Sequence, residues 1–169
     1  MATEGGACRE IPEDEPVYRR FHSDHVVNGQ VMPEGLDVPI CCGNRASRSR
    51  AEDVLRLGDY PDFVFVGSVC RAAAALVGPL VRESDGALLG WTICDDPNPP
   101  EDPTNAAHCV VRVWVRLPVK KTIMKSWAEP SYMKKRPPVG VAAMLTEALA
   151  NKWRVLGEWD PTTKALKHS

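Results

Sequence analysis

The chain is 169 residues long, 44% hydrophobic and 25% charged, with a formal net charge of −1. That length fits one domain able to bury about two-thirds of its unfolded surface. The near-neutral charge excludes both a wholly basic nucleic-acid binder and a wholly acidic disordered chain.

Residues 1–15 set five acidic residues against Arg9 and predict a flexible acidic leader. No secretory signal is visible there, so the expectation is a bacterial-type cytoplasmic protein whose six cysteines stay reduced. Val17 to Phe21 reads as a first strand. Residues 26–46 carry Gly29, Pro33, Gly35, Pro39 and Gly43, which predicts loop with at most one short extended piece. Ser49-Arg50-Ala51-Glu52 has the spacing of a capping box ahead of Val54, Leu55 and Leu57, so a short helix is expected near 50–57.

Phe63 to Val66 reads as a strand, and residues 70–77 fit either a helix by propensity or a buried strand by apolarity. The apolar run 62–81 is broken by Gly67, Arg71, Gly78 and Pro79. It falls short of the roughly 20 unbroken residues of a membrane helix, so no membrane partner is expected. Leu88 to Cys94 reads as another strand, followed by an acidic, proline-rich loop over 95–105.

From His108 to Leu117 the period is two. Cys109, Val111, Val113 and Val115 form one apolar face, and Arg112, Trp114 and Arg116 fall on a mixed face. Pro137-Pro138 opens the longest helix, about 138–151, whose stripe is Val141, Leu145 and Leu149. Residues 153–159 suggest a last short strand, and 160–169 a C-terminal tail. Strands outnumber helices without alternating with them. The expected fold is therefore a single α+β domain over 16–159, with a predominantly antiparallel sheet, one short helix and one longer helix.

Two features carry chemistry. The first is a basic segment laced with aromatics: Arg112, Trp114, Arg116, Lys120, Lys121, Lys125, Trp127, Tyr132, Lys134, Lys135 and Arg136. It predicts a small macromolecule-binding protein that docks by electrostatic steering, with Trp127 and Tyr132 as anchors. An acidic protein partner is favoured over single-stranded nucleic acid. A solvated basic hairpin would give the same pattern.

The second feature is a set of histidines and cysteines. His22, His25, Cys41 and His108 offer the nitrogen and sulfur donors that zinc prefers. Without a metal, the same region allows a thiol enzyme. Cys42, or Cys41, would be the nucleophile, His25 or His108 the base, and Asp24 or Asn105 the orienting group. The alternative to a binding protein is thus a hydrolase or metal-dependent enzyme. Two surface imidazoles and a set of core thiols would also account for these residues. No G-x-x-x-x-G-K-[ST], G-x-G-x-x-G or H-E-x-x-H motif occurs, so nucleotide-cofactor and zincin chemistry find no support.

Overall fold

The computed structural model describes residues 8–56, 61–76, 80–120 and 125–169. Its strands in chain order are β1 (Val17–His22), β2 (Val26–Val27), β3 (Gln30–Val31), β4 (Ile40–Arg45), β5 (Phe63–Val69), β6 (Leu80–Arg82), β7 (Ala87–Asp95), β8 (His108–Arg116), β9 (Pro118–Lys120), β10 (Lys125–Trp127), β11 (Ser131–Tyr132), β12 (Arg154–Asp160) and β13 (Ala165–His168). The helices are α1 (Ala51–Leu55), α2 (Arg71–Ala75) and α3 (Val139–Ala150). One nine-stranded sheet runs β13-β12-β5-β1-β4-β8-β7-β6, with β11 pairing the C-terminal half of β8. Its pairings are antiparallel, so the class is α+β as the pattern of elements suggested.

The main core lies on one face of this sheet. Val17, Phe21, Cys41, Trp91, Cys109, Val111 and Val113 point into it and meet Leu145 and Leu149 of α3. That is the stripe visible in the sequence, brought onto the sheet by helical spacing. Trp91 is too large to bury without satisfying its indole N–H, and Nε1 donates to the Leu145 carbonyl at 3.1 Å. The opposite face holds a smaller apolar cluster of Leu55, Val66 and Leu166. Next to it is a polar strip on β4, β8 and β7. The run 70–77 resolves as helix over its described part, α2, with Val77 outside the described residues.

The sequence reading misplaced β4. Gly43 there serves close packing and does not mark a turn: a Cβ on it would come within 2.4 Å of Val17 Cγ1. Both edges of β4 are paired, with β1 and with β8. Ser49 is not a helix cap. Its Oγ donates to the Arg45 carbonyl at 2.9 Å, and Arg50 occupies the cap position of α1.

Both chain ends join the sheet over their described parts. Ile11 is buried and its N–H donates to the Ile93 carbonyl, Glu10 bridges Cys94, and Cys8 is disulfide-bonded to Cys94. The expectation that all six cysteines stay reduced is corrected by that bond. Residues 165–168, expected in the tail, pair with β12 and bury Leu166. Among the described residues, no helix is long and apolar enough to cross a membrane.

Candidate active site

The register of β4 on β8 sets Asn44 opposite His108, Cys42 opposite Val110 and Ile40 opposite Arg112. Directly opposed residues share a face, and successive residues alternate. Asn44, Cys42, His108 and Arg112 therefore stand on the polar face, while Cys41 and Cys109 stand in the core. One residue step separates two very different thiols. Cys41 is fully buried, its sulfur lies 2.8 Å from the Asp37 carbonyl, and burial pushes its pKa up to about 12. Burial raises the Cys109 thiol as well. Cys42 is the exposed free cysteine among the described residues.

The proline-rich loop after β7 completes the site. Its prolines cannot join a ladder, so the loop folds on its own turns: Asn98 N–H donates to the Asn105 carbonyl at 2.9 Å, and Asp102 N–H to the Pro99 carbonyl at 2.9 Å. This brings Asp96 and Asn105 to His108. Asn105 Nδ2 donates to Asn44 Oδ1 at 2.7 Å and to Asp102 Oδ2 at 3.0 Å, tying the loop to β4.

His108 is 5% exposed. Its Nδ1 lies 3.0 Å from the Asp96 main-chain carbonyl and 3.1 Å from Asp96 Oδ2. A carbonyl oxygen only accepts, so Nδ1 carries a proton and Nε2 is left as the reactive nitrogen. Cys42 is diagonal to His108 across the β4–β8 pair and lines the same cleft. Burial works against charge on His108, but the neighbouring Cys42 side chain, together with Asp96, outweighs it and raises its pKa. The result is a Cys42 thiol beside a His108 imidazole whose Nδ1 is held by the Asp96 main-chain carbonyl, with the Asp96 carboxylate close by.

Cys42 and His108 border a cleft of about 290 Å³ that Arg20, Asn44, Phe63, Glu101, Asp102 and Asn105 also line. The Arg20 guanidinium lies 4.8 Å from the Phe63 ring centroid. Arg19 secures the Cys42 backbone. Its Nη1 donates to the Cys42 carbonyl at 2.9 Å, and its Nη2 pairs with Asp37 Oδ2 at 3.0 Å. Behind the site, Arg45 pairs with Glu15 at 2.7 Å and with Asp95 at 3.2 Å, and Arg48 with Asp95 at 3.3 Å. The hydrogen bond from Arg45 pulls the Glu15 carboxyl down to about 2.

Of the expected thiol-enzyme residues, Cys42, His108 and Asn105 line one cleft, Cys41 lies in the core, and the others lie elsewhere. His22, Asp24 and His25 gather at the far end of β1. There the two imidazole centroids are 5.5 Å apart, and Asp24 N–H donates to His22 Nδ1 at 3.2 Å. Tyr18 of β1 is level with Asn44, and His22 is four residues further on, roughly 13 Å along the strand. The residue at His108 Nδ1 is Asp96.

The proposed zinc set does not converge either, since the Cys41 sulfur faces away from His108. Among the described residues, no group of three or more His, Cys, Asp or Glu is placed to hold a metal. Asp96 was missed in the sequence, although a hairpin from β7 into β8 that opposes Asp95 to Cys109 brings residue 96 beside residue 108.

The basic-aromatic segment divides. Arg112 is buried against Tyr132, with 4.3 Å from guanidinium to ring centroid. The Trp114 ring lies over Gly90, where a Cβ would sit 2.2 Å from Cζ2, and Arg116 Nε donates to the Ala128 carbonyl at 2.9 Å. Trp127 is half-buried in the β9–β10 hairpin, which also carries Lys120 and Lys125, while Lys121 lies outside the described residues. Lys134, Lys135 and Arg136 are exposed. No family model, curated protein or solved structure matches the chain.

Proposed function

We propose that the protein is a thiol-dependent acyl hydrolase or transferase with Cys42 as nucleophile, His108 as acid and base, and Asp96 as the residue that positions His108. The observation that carries this reading is the cleft that Cys42 and His108 line together, with His108 Nδ1 held by Asp96, in a chain whose Cys41 and Cys109 thiols are buried in the core. The thiol proton passes to His108 Nε2, and the thiolate sulfur attacks the carbonyl carbon of an ester or amide. Arg20 supplies positive charge in the cleft for the developing oxyanion. The carbonyl–leaving-group bond then breaks, and the leaving group takes the Nε2 proton. Water, deprotonated by His108, cleaves the thioester, releasing the acid and restoring the Cys42 thiol.

The test is reaction with a p-nitrophenyl ester, followed by intact-mass analysis and peptide mapping. The expected result is an early burst of nitrophenol with the acyl group on Cys42, and no burst in Cys42→Ala. Equal nitrophenol release by the wild-type protein and Cys42→Ala would overturn the assignment.

A second reading is favoured by one observation, the consecutive exposed cations Lys134, Lys135 and Arg136. We propose that this run steers an acidic protein partner. Binding of a polyglutamate probe is expected to weaken with salt and to be lost when all three residues are changed to Glu. Unchanged binding in that variant would remove the reading, and tighter binding of a single-stranded oligonucleotide would replace the partner class.

A further inference from the structure

One cation on the polar strip is left without a counter-ion. Arg112 is 7% exposed, and its register neighbours are Ile40 on β4 and Thr92 on β7. Its guanidinium touches the Tyr132 ring, but among the described residues it makes no hydrogen bond and no ion pair, and its Nε is buried with no acceptor. Other arginines of this region are paired: Arg19 with Asp37, Arg45 with Glu15, Arg71 with Glu10. Of the nearby carboxylates, Glu10 is engaged by Arg71 and Thr92, and Asp96, close to His108, acts on Arg112 through its charge without forming an ion pair with it. Removing one guanidinium from water without a hydrogen-bond acceptor is unfavourable, and burial outweighs the help it receives from Tyr132 and Asp96.

Two further facts place this charge beside the reaction site. On the polar face, Cys42 is opposite Val110, and Arg112 is two residues beyond, which makes Cys42 and Arg112 diagonal neighbours roughly 7–8 Å apart at Cα. Thr92 and Tyr132, the side chains around the guanidinium, also line a second depression of about 240 Å³. Cys42 itself lines the neighbouring cleft of about 290 Å³, so the side chains around the guanidinium face one depression and the thiol another.

Resting on the acyl-transfer reading above, we propose that Arg112 receives a carboxylate of the substrate, so that the preferred substrates are ω-carboxyacyl esters or amides whose reacting carbonyl sits at Cys42. One unpaired guanidinium matches one monoanion, and its planar fork matches the two oxygens of a carboxylate. A dianionic phosphate would call for further cations.

The experiment alkylates Cys42 with ω-haloalkanoates of increasing length and with their neutral amides, each rate normalised to that of a free thiol. At one chain length the acid is expected to outpace its amide by roughly tenfold, the effect of one charge-assisted hydrogen bond. Arg112→Met should abolish that preference, bringing each acid's normalised rate to that of its amide. Arg112→Lys should keep part of it.

Equal acid and amide rates at every length would overturn the proposal, as would a preference that survives Arg112→Met. Because Met removes a buried charge at similar volume, the variant should melt no lower than wild type. A large fall in melting temperature would make Arg112 a structural residue and overturn the proposal too. The two readings fail separately. If Cys42 reacts no faster than a free thiol with the amides, the acyl-transfer reading fails, while stabilisation of the wild-type protein by glutarate and not of Arg112→Met still reports the anion site.

Discussion

The two faces of β4 and β8 share a backbone and differ in chemistry. On one, Cys41, Cys109, Val111 and Val113 make a dry core under α3. On the other, Cys42, Asn44, His108 and Arg112 form a polar strip beneath the proline-rich loop. A vicinal pair of cysteines therefore yields one buried thiol and one exposed thiol that lines a cleft with an imidazole. The lesson is that strand alternation decides which of two adjacent identical residues is available for chemistry.

That contrast can be broken from the core side with the largest effect. Leu145→Ala, at a fully buried position, is expected to cost about 2–5 kcal/mol in a denaturant titration; a cost below about 1 kcal/mol would mean α3 is not seated on the sheet. Next come the paired cysteines. Cys41→Ser places a hydroxyl in the core and should cost about 1–3 kcal/mol, whereas Cys42→Ser should stay within roughly 0.5 kcal/mol. Equal costs would erase the difference between the faces.

Two pH effects sharpen the polar side. Glu15 ionises more easily folded than unfolded, so its contribution is present above 4.5 and fades as pH falls toward about 2. Glu15→Gln should remove roughly 1–2 kcal/mol of acid-labile stability, after allowance for screening, and flatten the melting temperature on the acid side. The effect of His108 has the opposite sign and is smaller. Its raised pKa stabilises the fold below 6.5 and the gain is lost as pH rises through the folded value. In His108→Gln the melting temperature should therefore decline less across that range than in the wild type.

Much of the fold could be read from periodicity. The strand from His108, the helix near 138–151 and the helix after Arg50 stand close to where spacing placed them. What escaped was set by tertiary contacts. Gly43 marks close packing against Val17, and Glu15 belongs to an ion pair with Arg45, so neither the loop nor the free leader expected from composition survives over the described residues.

For the site, the sequence singled out Cys42 and His108 but not their pairing. His25 and Asp24 were equally eligible until the register of β4 on β8 decided between the imidazoles. Asp96 was hidden in a run of acidic and proline residues that looked like solvated loop. Arg112 was legible as a cation on a mixed face, but its burial was not, because that depends on the loop and on β11 covering it.

The most direct measurement is the rate of Cys42 alkylation by iodoacetamide at neutral pH, read by peptide mapping, in the wild-type protein and in His108→Ala. A working Cys42–His108–Asp96 set gives Cys42 as the fastest-labelled cysteine, slowed about tenfold or more by His108→Ala and less by Asp96→Asn. Identical Cys42 rates in the wild-type protein and His108→Ala would contradict it and leave the polar strip without a nucleophile.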